Sequence, residues 1–162
     1  MYRNCCFTGH RNIRLSPELK QKLNITLKTL IRNGITDFYA GGALGWDSFC
    51  EIAVLRLRSQ HPQIRLHLIL PCSEDEQTAK WNNKQKSAFH AILTAADSVE
   101  YISQNYYTGC MKERNARLIA LSDFCVCYYD HKNSASGTGQ TVRMALSKGI
   151  KIYNLADTES LT

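Results

Sequence analysis

Short apolar segments alternate with longer amphipathic segments along the whole chain, and this rhythm restricts the possible folds more than any other feature of the sequence. The alternation is typical of a parallel β-sheet whose strands are joined by helices. No low-complexity linker or internal repeat interrupts it, and 162 residues correspond to about one domain. We therefore predict an α/β fold built around one core, in a single domain that spans residues 1–162.

The same pattern locates the individual elements. Ser16 followed by Pro17 is a typical helix start, and Asn33 followed by Gly34 is a typical helix end. In the next helix an apolar stripe that begins at Trp46 is expected to pack on the sheet, although a first-turn position would also allow Trp46 to line a pocket. The predicted strands lie near 3–8, 36–40, 65–70, 98–102, 123–129 and 150–154, and the predicted helices near 17–33, 46–60, 75–96, 108–122 and 139–148.

The composition limits the cellular compartments and the binding partners that we expect for this protein. No run of about 18 apolar residues is present, and Met1 to Asn4 lead into a short apolar stretch without the layout of a signal peptide. We therefore expect a cytoplasmic protein with no membrane partner. The net charge of +6 would suit an anionic partner such as nucleic acid or a phosphate. The basic residues are spread along the chain, however, so they can equally be the solvated surfaces of helices.

The chain contains seven cysteines and no C-x-x-C pair, so we predict no metal site. Four of them lie in apolar runs that are predicted to be buried strands, where a cysteine acts as a small, reduced core residue: Cys5, Cys6, Cys125 and Cys127. Cys72 and Cys110 fall near predicted loops and are the candidates for reactive thiols.

The segment GGALGWD follows the second predicted strand and opens a helix. A phosphate bound at a helix N-terminus approaches backbone N–H groups closely, and a Cβ at that point would block it. Gly41, Gly42 and Gly45 would provide this clearance, although a tight turn without a ligand is the alternative. Asp47 lies in the first helical turn, where the helix dipole favours its ionised form, and Glu51 follows one turn later.

A second glycine-rich segment, SGTGQT at 136–141, precedes the last predicted helix in the same way. Its hydroxyl and N–H groups suit a phosphate or a carboxylate. Because ligands of open parallel sheets bind at the carboxyl ends of the strands, both glycine-rich segments are expected at one site. No G-x-G-x-x-G follows the first strand and no G-x-x-x-x-G-K-[ST] occurs, which excludes a standard dinucleotide dehydrogenase and a P-loop NTPase.

Polar residues also gather after the first strand and in the fourth predicted helix. Arg11, after Thr8 and Gly9, is placed to neutralise a phosphate. His10 beside it either contacts a ligand or is a loop histidine with its own partner. Arg114 and Asn115 lie about one turn into the fourth helix and form either part of the site or a helix surface pair.

Five short motifs occur in a fixed order: FTGHR, GGALGWD, LPC with the downstream Gln77 and Trp81, MKERN, and SGTGQTVRMA. Together they resemble the YpsA-like group of the SLOG superfamily, whose relatives include the Rossmann-like domain of the DNA-processing protein DprA and the LOG nucleotide phosphoribohydrolases. The resemblance runs from Arg3 to about Asn154. It implies a Rossmann-like three-layer sandwich, in which a mainly parallel sheet of about six strands carries helices on both faces.

The resemblance also implies a nucleotide-derived ligand, either an ADP-ribose-like molecule or a cyclic nucleotide signal. Trp46 or Tyr106 would face the base, and Asp47 would accept hydrogen bonds from ribose hydroxyls. The implied ligand-binding residues are Thr8, Gly9, His10, Arg11, Gly41, Gly42, Gly45, Trp46, Asp47, Arg114, Asn115, Ser136, Gly137, Thr138 and Thr141.

One departure bears on catalysis. The hydrolytic LOG enzymes carry P-G-G-x-G-T-x-x-E, whereas Val142, Arg143 and Met144 follow Thr141 here, without a carboxylate. The leading hypothesis is therefore that the protein senses or sequesters its ligand. We expect it to form a homodimer or a higher homo-oligomer. A protein of this kind could also act as a sponge for a cyclic nucleotide signal in phage–host conflict. One alternative is a LOG-type nucleotide N-glycosidase that uses Asp47 or Glu51. The other is a DprA-like module that binds single-stranded DNA on its basic face.

Overall fold

Six parallel strands form one sheet in the order β4-β3-β2-β1-β5-β6 in a computed structural model, which describes residues 2–156. The predicted single domain, 1–162, extends beyond the described residues at both ends. The strands are β1 (Asn4–Gly9), β2 (Asp37–Ala40), β3 (Arg65–Leu70), β4 (Ser98–Tyr101), β5 (Phe124–Tyr128) and β6 (Lys151–Asn154).

Helices connect every pair of consecutive strands. The predicted helix near 75–96 is two helices, because the chain leaves the first helix at Thr78 and begins the second with a capping box between Asn82 and Gln85. The helices are α1 (Pro17–Arg32), α2 (Trp46–Arg58), α3 (Glu74–Gln77), α4 (Asn83–Ala95), α5 (Cys110–Leu121) and α6 (Gly137–Lys148), with a 3-10 helix at His131–Asn133.

The helices cover both faces of the sheet and bury two separate hydrophobic cores. One face packs against α1, α2 and α4, and the other against α5 and α6. Neighbouring residues of β1 alternate between the faces, since Cys5 belongs to the first core and Cys6 to the second. The predicted Rossmann-like three-layer architecture is confirmed.

The strand order places a crevice beside β1. From β1 the chain adds β2, β3 and β4 on one side, and it then crosses to β5 and β6 on the other side. The register pairs Thr8 with Cys127 and Gly9 with Tyr128, so β1 and β5 end at the same level. The loops after these two strands diverge, and in sheets of this kind ligands bind in the gap between such loops.

All seven cysteines are free and buried, including Cys72 and Cys110, whose side chains are fully covered. The prediction that these two are the exposed, reactive thiols is therefore wrong. Both do lie close to loops, but neither side chain is exposed to solvent. Burial also raises the pKa of Cys72, which disfavours its thiolate. Within residues 2–156, no helix is both long and apolar enough to cross a bilayer.

We expect a thiol reagent such as a dithiobis-nitrobenzoate to label fewer than about one thiol per native chain rapidly, because reaction needs an exposed thiolate. The measurement is the absorbance of the released chromophore over time. Labelling in guanidinium chloride serves as the control and should reach all seven cysteines. Fast stoichiometric labelling of one native cysteine would contradict the burial of that residue.

Candidate functional site

A cavity of about 250 Å³ occupies the crevice at the carboxyl ends of β1 and β5. It is bounded by the loop after β1, the first turns of α2 and α5, and the start of α6. The lining residues are Phe7, Thr8, Gly9, His10, Arg11, Ala43, Asp47, Met111, Arg114, Asn115, Ser136, Gly137 and Thr138.

The start of α6 presents an open helix N-terminus to this cavity. The Ser136 side chain caps the helix by accepting a hydrogen bond from the N–H of Gly139 at 3.1 Å. The first turn of a helix leaves further N–H groups without intrahelical acceptors. A Cβ added to Gly137 would have no heavy atom within 4 Å, so the space in front of this turn is free. This geometry suits an anion.

Thr141 does not line the cavity. Its side chain is fully buried, and its hydroxyl donates to the carbonyl of Gly137 at 2.9 Å. The predicted ligand contact at Thr141 is therefore wrong, because the residue lies one turn inside α6 and stabilises the backbone that would hold the ligand.

The loop after β1 brings one free cation to the cavity. The His10 Nε2 atom accepts a hydrogen bond from the N–H of Asp130 at 2.9 Å, so this ring is a loop histidine with its own partner, although it also lines the cavity. Arg11 is exposed, and among residues 2–156 no side chain forms a hydrogen bond or an ion pair with its guanidinium. Arg11 is therefore available to an anionic ligand.

Trp46 lies beneath this loop and not in the cavity. Its side chain is fully buried, its indole N–H donates to the carbonyl of Val126 at 3.4 Å, and a Cβ on Gly9 would overlap it. The expectation that Trp46 faces a base is wrong, and the alternative expectation of a core residue is confirmed. The apolar stripe of α2 buries the ring because Gly9 lets the β1 loop pass directly over it.

The glycines of the Gly41–Gly45 loop serve internal packing and not ligand clearance. A Cβ on Gly41 would overlap Arg114, and a Cβ on Gly45 would overlap the backbone of Arg11. Gly42 has φ +71° and would meet Leu70 at 2.6 Å. None of the three glycines lines the cavity. Their predicted ligand contacts are therefore wrong, since the protein itself fills the space that a phosphate would need.

Asp47 does line the cavity, but its charge state differs from the sequence-based expectation. The side chain is only 6% exposed, and Oδ2 accepts a hydrogen bond from the N–H of Ala43 at 3.2 Å. Burial raises the pKa of Asp47 to about 6, although the charge of Arg114 and the Ala43 N–H act in the opposite direction. The desolvation of the carboxylate outweighs the helix dipole that we expected to keep it ionised.

Arg114 and Glu51 complete a buried charged cluster behind Asp47. Arg114 is 4% exposed, donates from Nη1 to the carbonyl of Gly41, and donates from Nε to Oδ1 of Asn115 at 2.7 Å. The alternative of a helix surface pair is thereby wrong for Arg114. Glu51 is fully buried, and its Oε1 accepts from the N–H of Gly42 at 3.0 Å.

Burial and the nearby charge of Asp47 raise the pKa of Glu51 well above its usual value. The other carboxyl oxygen, Oε2, has no hydrogen-bond partner within the described part of the chain. Glu51 does not line the cavity. Its position therefore supports the Gly41–Gly45 loop and the cluster with Asp47 and Arg114, and gives it no direct access to a ligand.

The cavity thus unites ten of the predicted residues and omits Gly41, Gly42, Gly45, Trp46 and Thr141. The ten are Thr8, Gly9, His10, Arg11, Asp47, Arg114, Asn115, Ser136, Gly137 and Thr138. Sequence reasoning did not assign Phe7, Ala43 or Met111 to the site. Met111 precedes Arg114 by three residues and Asn115 by four, so the spacing of one helix face was a usable signal.

A second cavity of about 570 Å³ adjoins the first on the side of β3 and shares three lining residues with it: Arg11, Ala43 and Met111. Its walls carry aromatic and apolar groups from Trp81 and Tyr106. Tyr106 is 57% exposed, so its ring is accessible from this cavity. No group of three or more His, Cys, Asp or Glu side chains in residues 2–156 is placed to hold a metal ion.

Comparison with known proteins gives a family match over nearly the whole chain. The model of the YpsA family, described as the YspA SLOG family, matches residues 5–156. A UPF0398 protein of Halalkalibacterium halodurans is 30% identical over 130 residues, which are 79% of this chain and 66% of that protein. This chain therefore spans just under two thirds of that relative's length.

Two solved structures share the fold. One is DNA processing protein A from Helicobacter pylori, which is described with a single-stranded DNA binding mode. The match covers 93% of this chain and 63% of the Helicobacter pylori chain, with a TM-score of 0.63 and 26% sequence identity. The protein TM1055 matches 99% of this chain and 81% of its own with a TM-score of 0.58 and 15% identity. The second likeness concerns the fold alone.

Proposed function

Because this chain belongs to the YpsA family of SLOG proteins, we propose that it binds a nucleotide-derived ligand as a sensor or a sequestering protein. The ligand's phosphate would lie at the N-terminus of α6. The observation that carries the proposal is the free space in front of Gly137, which lines the cavity, whereas a Cβ on Gly9, the other glycine that lines it, would overlap Trp46. An anion can therefore approach the backbone N–H groups of this turn closely.

The charges around the cavity support a phosphate. Arg11 is unpaired, and the buried Arg114 adds a second positive charge. Among the described residues that line the cavity, Asp47 is the only acidic one, so the two arginine charges outnumber its single negative charge. A guanidinium and a helix N-terminus that face each other are a common arrangement for phosphate recognition.

The base of the nucleotide would occupy the adjoining cavity beside Tyr106, Trp81 and Met111. Aromatic rings and a methionine side chain provide stacking and apolar contacts for a heterocycle. This assignment replaces Trp46 by Tyr106 and Trp81. ADP-ribose-like molecules and cyclic nucleotides are the ligands to test first, in a homodimer or higher homo-oligomer, and a role in phage–host signalling remains part of the same proposal.

A second candidate is a nucleotide N-glycosidase. The pKa of Asp47, about 6, would suit a general acid or base that works near neutral pH. Against it, glycosidases use two carboxyl groups, and Glu51 does not reach the cavity. Incubation with AMP, CMP and NAD followed by chromatography for the free base distinguishes the two candidates, because a binder releases none.

The third candidate, single-stranded DNA binding, rests on the likeness to the Helicobacter pylori protein. DNA binding through phosphates weakens steeply with added salt, whereas a small-ligand site with one or two phosphates has a shallower dependence. Fluorescence anisotropy with a labelled oligothymidylate at several salt concentrations tests this candidate.

We expect Gly137→Ala to weaken the binding of ADP-ribose at least about tenfold without destabilising the fold. The added methyl group meets no protein atom but occupies the approach to the helix N-terminus, and alanine is a better helix former than glycine. Isothermal titration calorimetry gives the affinity, and thermal unfolding gives the stability.

Ser147→Ala, at the exposed far end of α6, is the matched control and should change neither quantity. The proposal is wrong if AMP, ADP, ADP-ribose and a cyclic nucleotide such as cyclic AMP all fail to bind the unmodified protein. It is also wrong if Gly137→Ala binds as tightly as the unmodified protein.

A further inference from the structure

A groove of about 500 Å³ lies between α1 and α2 on their solvent side. None of the described residues that line it also lines the central cavity, the one at the carboxyl ends of β1 and β5. We propose that this groove is a docking site for another protein, which inserts one amphipathic helix whose apolar face is flanked by acidic residues. The proposal does not depend on the proposed nucleotide site.

The groove follows about three turns of both helices. Because β1, β2 and β3 are parallel neighbours, the helices that join them run in the same direction on one face of the sheet. The lining residues extend from Pro17 to Lys28 on α1, and from Phe49 to Gln60 along α2 and the two residues after it. At the rise of an α-helix each of these stretches is about 17 Å long. This length suits a bound helix that presents anchors one turn apart.

The floor of the groove is apolar and belongs mainly to α2. Phe49, Ile52 and Ala53 line it at the spacing of one helix face. Phe49 and Ala53 are half-buried and pack against the first hydrophobic core, whereas Ile52 is 38% exposed. A partner that covers this strip removes apolar surface from water, which favours association. The floor therefore provides anchor positions for the apolar face of a helix.

The edges of the groove are positively charged. Lys20 and Lys28 of α1 and Arg56 of α2 are exposed and line it. Within residues 2–156 none of these three side chains forms an ion pair or a hydrogen bond. No described residue that lines the groove is acidic. Aspartate or glutamate beside the apolar face of a partner helix would meet these cations, and such charge complementarity selects partners and accelerates association.

A second copy of this chain fits the groove poorly. The chain has a net charge of +6, so two copies repel each other. On α6 the exposed Leu146 is close along the helix to Arg143 and Lys148, which would repeat the charge of the groove. The acidic helix α3 has only four residues and is shorter than the groove. The complementary helix therefore belongs to a different protein.

Fluorescence anisotropy with two labelled helical peptides of about 18 residues tests the docking site. Both peptides carry leucines one turn apart, and the remaining positions combine alanine with glutamate in one peptide and with lysine in the other. We expect the glutamate peptide to bind saturably and at least about tenfold more tightly than the lysine peptide. Ile52→Asp and Lys28→Glu should each weaken the glutamate peptide at least about fivefold, by charging the floor and by reversing one edge charge.

The chain offers a matched control for each substitution on the other face of the sheet. Leu146→Asp and Lys112→Glu introduce the same charges at exposed helix positions outside the groove, and should leave the affinity for the glutamate peptide unchanged. Circular dichroism checks that each variant is folded, and Lys28 is exposed, so its replacement does not disturb the core. Gly137→Ala should also bind the peptide normally, which separates this test from that of the nucleotide site.

Three results would overturn the docking site. One is that the glutamate peptide fails to bind, or binds no more tightly than the lysine peptide. Another is that Ile52→Asp and Lys28→Glu both keep the affinity of the unmodified protein. The third is a different occupant of the groove. This would be a second copy if both variants abolish a dimer seen in sedimentation velocity, or a membrane if both abolish binding to phosphatidylglycerol vesicles.

Discussion

Replacement of Arg114 by methionine is expected to lower the free energy of unfolding by about 3–5 kcal/mol, which is the usual cost of removing one partner from a buried charged cluster. Methionine keeps much of the side-chain volume, so the change in the free energy of unfolding comes mainly from the loss of the charge and of the hydrogen bonds. The variant leaves the Gly41 carbonyl without its donor and removes from the buried Asp47 the positive charge that most opposes the rise of its pKa. Urea unfolding followed by circular dichroism measures the change.

The chain offers a matched control on the same helix. Arg117 lies about one turn from Arg114, is exposed, and forms an ion pair with Glu100 at 3.0 Å. Arg117→Met should change the stability by less than about 1 kcal/mol, because exposed ion pairs contribute little. Equal effects of the two substitutions would show that the buried cluster does not need its arginine.

Asp47→Asn is expected to make the protein more stable at neutral pH than the unmodified chain, by roughly 3 kcal/mol for a pKa displaced from 3.8 to about 6. Below about pH 3 the carboxyl is protonated in the folded and unfolded states alike, and its burial costs no charge. As the pH rises from about 4 to about 6, the carboxyl ionises in the unfolded chain before it does so in the folded protein, and the unmodified protein loses stability. Asparagine stays neutral throughout.

The measurement is the free energy of unfolding between pH 4 and pH 8 for both proteins, and the difference between them should grow as the pH rises. Asp97→Asn is the control with the opposite sign. Burial alone would raise the pKa of Asp97, but hydrogen bonds from the Leu66 N–H and from Arg58 outweigh burial and lower it. Asp97 thus stabilises the fold above its pKa, and this stabilisation is lost in acid. A pH-independent difference for Asp47→Asn would refute the raised pKa.

A stabilising substitution at Asp47 would also bear on function. Residues that lower stability are commonly retained where a ligand or a reaction needs them. Asp47 is the one buried acidic residue that faces the central cavity, so its cost is consistent with a role toward the ligand. Loss of ADP-ribose affinity together with a gain in stability would connect the two effects in one variant.

The sequence determined the architecture of this protein because the relevant signals are local and repeat along the chain. Apolar segments alternating with amphipathic ones predicted all six strands to within about one residue at each end, and caps such as Ser16 before Pro17 located the helix ends. The order of these segments also placed the loops after β1 and β5 at one edge of the sheet. Ten of the predicted site residues therefore meet in one cavity.

The role of each glycine and of each charge depends on contacts that form only in the folded protein. A glycine in the sequence can indicate that a side chain would not fit at that position, but the sequence does not identify the atoms that would meet the side chain. Gly41 is packed against Arg114 and Gly9 against Trp46, whereas Gly137 faces open space. Likewise, the position of Asp47 in a first helical turn predicts an ionised side chain, but burial raises its pKa to about 6. The free space around a glycine and the desolvation of a carboxylate both depend on residues that are distant along the chain. Local sequence patterns therefore cannot predict either of these properties.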